Sequence, residues 1–222
     1  METHTLRQTS VLLPGLDEED LTEVASLDGD KLTEFSYTGA RLRELSLSGV
    51  TLMSGRISEL VTQRTNLNKL AVSSVELTGC DLSHLHWSDS KLSRVVFRDC
   101  RLLGALLEEV TFDNVIFERC RLDYSVFVNV RAAGPVIFNS CSLREMSFTR
   151  ADMTGSAAVD CDLLRTEFNG GTYRGLDLRG NDLAGLRGLS SLRKVTIDRS
   201  QLPDLARAAA ADLEITIAED QT

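Results

Sequence analysis

The chain has 222 residues, 42% of them hydrophobic and 26% charged, with a formal net charge of −9. That length suits one sizeable core, no apolar run approaches the roughly 18 residues a membrane span needs, and no basic n-region suggests a signal peptide. Five cysteines, an odd number without a secretion signal, point to free thiols in a reducing, cytoplasmic setting.

In chain order, the first element is acidic. Residues 1–40 hold nine acids and two bases, centred on LDEEDLTE, whereas residues 41–170 are nearly balanced, with 16 acids and 15 bases. Residues 1–26 carry no repeat and read as an N-terminal segment or cap. Val11, Leu12, Leu13, Leu16 and Leu21 would allow it to fold over the start of the next element; the alternative is a partly ordered acidic arm.

Residues 27–202 follow a period of five. From Leu42 every fifth residue to Phe127 is apolar except Thr62. After one inserted residue at RAAGP, residues 131–135, the series resumes at Phe138 and runs to Leu183. Five fits neither the helical 3.6 nor the strand's 2.0. It fits a chain that turns a corner every five residues, so that four corners close a square coil of about 20 residues on which the next coil stacks, rising about 4.8 Å. Two residues per corner then point inward, a large central one and a smaller one two places earlier. Cys80, Cys100, Cys120, Cys141 and Cys161 all take the small inward place, at separations of 20, 20, 21 and 20. They form one inward column on a single side, one thiol per coil, a small hydrophobe at each level rather than a disulfide set.

Units such as CDLSH, CRLLG, CDLLR, NDLAG and ADMTG resemble the pentapeptide-repeat family, whose pattern is roughly A(D/N)LXX. The resemblance implies an all-β, right-handed quadrilateral β-helix, here with about nine coils over about 42 Å.

Several outward features stand out. Val96, Ile116 and Ile137 stack on one side, and Leu106 and Val126 on the opposite one. Such columns mark contact surfaces or merely reflect strand propensity. Glu59, Asp99 and Asp160 align at one corner, interrupted by Arg119. Thr62 and the RAAGP insertion are expected to be bulges, short loops or packing defects.

Residues 203–222 close the rod. Ser200 is the expected helix N-cap, Pro203 suits the first turn, and Leu202, Leu205, Ala206, Ala209 and Leu213 make an apolar stripe. LEITI then alternates like a short strand. This ending resembles that of Qnr- and MfpA-type members of the family, in which a helix and strand join two rods. It implies a homodimer through Leu202, Leu205, Ala206, Ala209, Leu213 and Ile215, with a monomer cap as the alternative.

No catalytic chemistry is legible. His84 and His86 are placed on different sides of the coil, so a metal pair is not expected, and no phosphate loop or nucleophile elbow occurs. Neither a cofactor nor direct nucleic-acid binding is expected. The resemblance implies a non-enzymatic rod that mimics DNA and binds DNA gyrase or another type II topoisomerase, altering its activity or quinolone sensitivity. The alternative is a general protein-interaction scaffold. Candidate partner-binding residues are Glu59, Asp99, Asp160, Val96, Ile116 and Ile137.

Overall fold

The computed structural model describes residues 2–216 and 218. Its body is the four-sided parallel β-helix expected from the five-residue period, of the kind that the family resemblance implies. Lys31, Thr51, Ala71, Lys91, Thr111, Arg131, Asp152 and Thr172 pair in succession, seven steps of 20 residues except one of 21. The coil therefore has about seven turns rather than nine, or about 34 Å of rise. The shortfall lies at the ends. The first long strand begins at Lys31, and beyond Thr172 regular pairing gives way to single bridges such as Asp177↔Thr196.

In the rung 91–110 the four sides centre on Leu92, Phe97, Leu102 and Leu107, which are called here the first to fourth sides. Strands Lys31–Thr38, Thr51–Ser58, Ala71–Thr78, Lys91–Arg98 and Thr111–Glu118 each wrap one corner. The bend falls at a residue with positive φ: Glu34, Ser54, Ser74, Arg94 and Asn114, at 50° to 58°. A non-glycine residue there costs about 1 kcal/mol. The ladder compensates, because each corner is held by hydrogen bonds from the rungs above and below, for example Lys91 N–H to Leu70 O at 2.9 Å.

Inside, like residues lie over like. The second side stacks Phe97, Phe117 and Phe138, with ring centroids 4.7 and 5.1 Å apart and planes within 9° and 7° of parallel. The cysteine column is as placed by the spacing: all five are buried free thiols. Each Sγ donates to the carbonyl of the large inward residue of the rung before, at Ile57, Leu77, Phe97, Phe117 and Phe138, over 3.2–3.5 Å. Ser125 makes the same bond to Leu102 O at 2.7 Å, and Thr166 to Leu143 O at 2.7 Å. A small side chain with a weak donor is what this place selects.

The two interruptions are tight. Thr62 is buried, and its hydroxyl meets that of Thr65 at 2.5 Å, so the polar pair is satisfied within an unbroken strand, Val61–Asn68. At RAAGP the N–H groups of Ala133 and Gly134 both point to Phe112 O, at 2.7 and 3.3 Å. That is a bulge that absorbs the extra residue without a protruding loop. A Cβ on Gly134 would lie 2.3 Å from Asp113 Oδ1 and 3.1 Å from Asn114 Nδ2.

The C-terminal end differs from expectation in detail. Helix α1 spans Leu202–Asp212 with Pro203 in its first turn, but Ser200 is not its cap. A short turn, Arg199–Gln201, precedes it, and Gln201 Oε1 accepts from Asp198 N–H at 2.6 Å. Asn181 and Gln201 continue the cysteine column at its end and are buried. Asn181 accepts from Cys161 N–H and donates to Ala158 O and Leu178 O, and Gln201 donates to Leu178 O and Asn181 O. Amides replace thiols where the ladder stops, because the last carbonyls have no further rung to donate to them. Residues 213–216 form no strand, since alternation without a neighbouring edge to pair with does not suffice. Ile217, the end of LEITI, lies outside the described residues.

The N-terminal segment departs most from expectation. Thr22–Glu23 pairs with Phe35–Ser36, and buried Leu27 closes the first coil. The residues before them do not cover that coil. Strands β1 (Thr3–Leu6) and β2 (Thr9–Leu12) form an antiparallel hairpin that lies far along the outside of the second side.

Candidate interaction surfaces

The hairpin follows from a local alternation and a long-range contact. Val11 is 1% exposed and packs with Val96, Ile116 and Ile137, with Leu6 and Leu13 beside them. Leu12 N–H donates to Asn114 Oδ1 at 2.9 Å, next to the bulge. At the tip, Arg7 donates to Arg179 O and lies 3.6 Å from Asp177. Gly180 makes room, for a Cβ there would be 2.6 Å from the Arg7 guanidinium. Nearer the start of the rod, Glu18 pairs with Arg56 at 2.9 Å. Residues 2–23 thus form a strap along the second side, tied to the coil through Thr22–Glu23. The column Val96, Ile116 and Ile137, expected to face a partner, is covered by this chain's own hairpin and is closed while the hairpin is seated.

The strap also relocates the charge. On the second side, Arg56, Arg98, Arg119 and Arg179 are each paired with acids of that side: Glu76 at 3.4 Å, Glu118 at 2.9 Å, Asp99 at 2.8 Å and Asp177 at 2.6 Å. Asp99, one of the aligned candidates, is held below the ordinary carboxylate range by hydrogen bonds from Arg119. Its charge is largely compensated, while Glu59 and Asp160 stay exposed. Onto this side the strap adds Asp17, Glu18, Glu19, Asp20 and Glu23, all exposed. The third side is balanced: Arg101, Arg121, Arg144 and Arg165 pair with Asp81, Asp123, Asp162 and Glu145 within 2.9–3.7 Å. The acidic run near the start of the sequence therefore comes to lie along one side of the rod.

On the opposite, fourth side, Leu106 and Val126 stack and remain half-buried. At the corner beside them Tyr124 is 62% exposed with φ of 62°. Nothing in the five-residue pattern singled it out, since its corner place accepts almost any residue. His84 turns a corner, and His86 on the next side meets Glu108 at 2.8 Å. Among the described residues no group of three or more His, Cys, Asp or Glu could hold a metal ion. No described helix is long and apolar enough to cross a membrane.

The six C-terminal residues expected at a dimer interface divide. Leu205 and Ala209 face the last coil, lining a cavity of about 230 Å³ with Leu178, Leu186, Val195 and Ile197. Leu202, Ala206, Leu213 and Ile215 point outward and are exposed, Leu213 by 70%.

These surfaces belong to a recognisable class, a stacked-coil rod with side-chain ladders. The family model for pentapeptide repeats (8 copies) matches residues 76–114 and 90–127. Residues 76–127 thus carry pentapeptide repeats, and the coil keeps the same stacking on both sides of that span. Among solved structures, a trypsin-treated variant of QnrB1, a plasmid-mediated fluoroquinolone resistance protein, is 18% identical with a TM-score of 0.48. That alignment covers 90% of this chain and 96% of QnrB1. A second QnrB1 variant is 16% identical, with a TM-score of 0.45 and 90% and 98% covered. HetL, involved in heterocyst differentiation regulation in the cyanobacterium Nostoc, is 15% identical, with a TM-score of 0.36 and 75% and 82% covered. No curated protein matches the chain in sequence.

Proposed function

We propose that this chain is a non-enzymatic rod that binds a protein partner through its acidic second side, and that the partner is DNA gyrase or another type II topoisomerase. The observation that carries the reading is the strap. It lays Asp17, Glu18, Glu19, Asp20 and Glu23 along a side whose own bases are already paired. A long, narrow, one-sidedly negative body suits a basic groove built for duplex DNA, and long-range attraction speeds such docking. Direct binding to nucleic acid is disfavoured by the same charge. In this reading the exposed Leu202, Leu213 and Ile215 join two rods end to end, a homodimer that extends the negative side.

The test is gyrase supercoiling and quinolone-induced cleavage with purified protein added up to roughly micromolar concentration. Inhibition or drug protection is expected, weakened about ten-fold or more when the five strap acids become amides. No effect at several micromolar sinks the topoisomerase assignment. A general scaffold then gains, favoured by the uncovered Leu106–Val126 column and Tyr124, a residue type common at binding hot spots. Light scattering on Leu213→Asp and Ile215→Asp tests the dimer: a dimer that falls to monomer supports it, and a wild-type monomer refutes it.

A further inference from the structure

We propose that the N-terminal hairpin is a detachable latch, whose release strips acids from the second side of the rod and bares an apolar strip there. This goes beyond the partner assignment and holds for any partner. Three observations carry it. First, among the described residues, none of residues 2–21 shares a backbone–backbone hydrogen bond with the rod; the first such pairing is that of Thr22–Glu23 with Phe35–Ser36. The hairpin is a separate two-stranded sheet lying face-down on the coil, so it can leave without breaking a single rung. Second, what holds it is small. Its buried residues are three: Val11, which sits on Val96, Ile116 and Ile137 with Leu6 and Leu13 beside it, and Thr9 and Pro14. The polar anchors are Leu12 N–H to Asn114, Glu18 to Arg56, and Arg7 to Asp177 and Arg179 O. Third, the hairpin does not favour itself. Its two-residue loop, Arg7–Gln8, places Arg7 at φ 56°, a conformation glycine usually supplies there. The docked guanidinium keeps that turn in place, and a lone two-stranded hairpin is marginal in water.

Release has two consequences at once. It carries Glu2 and, with the connector, Asp17 to Asp20 away from the rod surface, and it bares the strip Val96, Ile116 and Ile137. The strip is therefore a conditional contact surface, open to a strand with alternating apolar residues of the kind that β2 already presents to it.

Hydrogen exchange on the full chain tests this at 50 and 500 mM NaCl. Backbone amides of Thr3–Leu13 are expected to exchange about 100-fold or more faster than those of Lys91–Arg98 and Thr111–Glu118. Arg7→Ala is expected to speed hairpin exchange about five-fold and leave the rungs unchanged. High salt should speed hairpin exchange in the wild type, and by less in the variant, where only the Glu18–Arg56 pair is left to screen. Val11→Asp should free the hairpin outright and raise binding of an apolar dye. Hairpin amides as protected as the rungs, or rungs loosened together with the hairpin, overturn the latch. A freed hairpin with no gain in dye binding overturns the apolar strip. None of these outcomes depends on any partner, so this proposal and the topoisomerase reading fail separately.

Discussion

Phe117 sits in the middle of the rod, 1% exposed, with Phe97 stacked below it at 4.7 Å and Phe138 above at 5.1 Å. Replacing it by alanine removes a buried aromatic, which costs about 3–5 kcal/mol in a core that cannot collapse. Here the ladder fixes the spacing of the rungs, so collapse is restricted and the upper half of that range applies. The two lost stacking partners act in the same direction, each by about 0.5–1.5 kcal/mol. We expect Phe117→Ala to lose about 5 kcal/mol and Phe117→Leu, which keeps most of the volume, about 1.5 kcal/mol. Stacked repeats are coupled only to their neighbours, so a hole at mid-rod also uncouples the two halves. Trp87, the only tryptophan, lies two rungs earlier against Phe97 and reports on the N-terminal half. Urea unfolding followed by Trp87 fluorescence and by far-UV circular dichroism should coincide for the wild type and separate for Phe117→Ala. A loss below about 1.5 kcal/mol with coincident transitions would show that stacking at the centre does not carry the rod, and the columnar account of its stability would fail.

Other consequences follow from single positions. Gly171 has φ of +96°, and a Cβ would lie 2.1 Å from Ala151 O and 2.7 Å from Ala151 N. Gly171→Ala should cost about 2–4 kcal/mol in thermal or urea unfolding, against about 1 kcal/mol for Gly49→Ala, where φ is +71° but nothing lies within 4 Å. Cys120→Ser should stay within about 1 kcal/mol of the wild type, because Ser125 and Thr166 make the same inter-rung bond elsewhere. Native thiols should resist a disulfide reagent at pH 8 and all react once unfolded. The Cys80 thiol is pushed up by its neighbour Cys100 and by burial, and Cys141 by burial and then its neighbours Cys120 and Cys161. Burial would raise the Asp177 carboxyl, but hydrogen bonds from Arg179 and the charge of Arg7 outweigh it and hold the group below its ordinary value. A depressed folded value means that its contribution is complete above the unfolded pKa of about 3.9 and fades as pH falls through the lower folded value. Asp177→Asn should therefore lower the unfolding midpoint at pH 6, with the gap to wild type closing below about pH 4, as followed by Trp87 fluorescence.

What was readable from residues alone is whatever repeats. The period of five states which side chains point inward, and the ladder then stacks them, so the cysteine column, the phenylalanine stack and the place of the one-residue slip at RAAGP could all be located beforehand. Each is a local preference multiplied by repetition. The ends were harder, because a cap is a single event. LEITI alternates like a strand but meets no edge, and Ser200 lies in a turn that Asp198 and Gln201 close instead. The hairpin carries no Asn-Gly or Gly at its turn, so Thr3–Leu12 gave no hairpin signal. Only the folded chain places Val11 on Ile116, about a hundred residues away in sequence, and Arg7 on Asp177. That contact depends on the fit of one short sheet to one apolar strip and of one guanidinium to one glycine-lined space, neither of which is periodic. The amino-acid order by itself determined a rod and the facing of its side chains; the tertiary structure decided which side is acidic and which apolar column stays open, because those depend on where a non-repeating segment comes to rest.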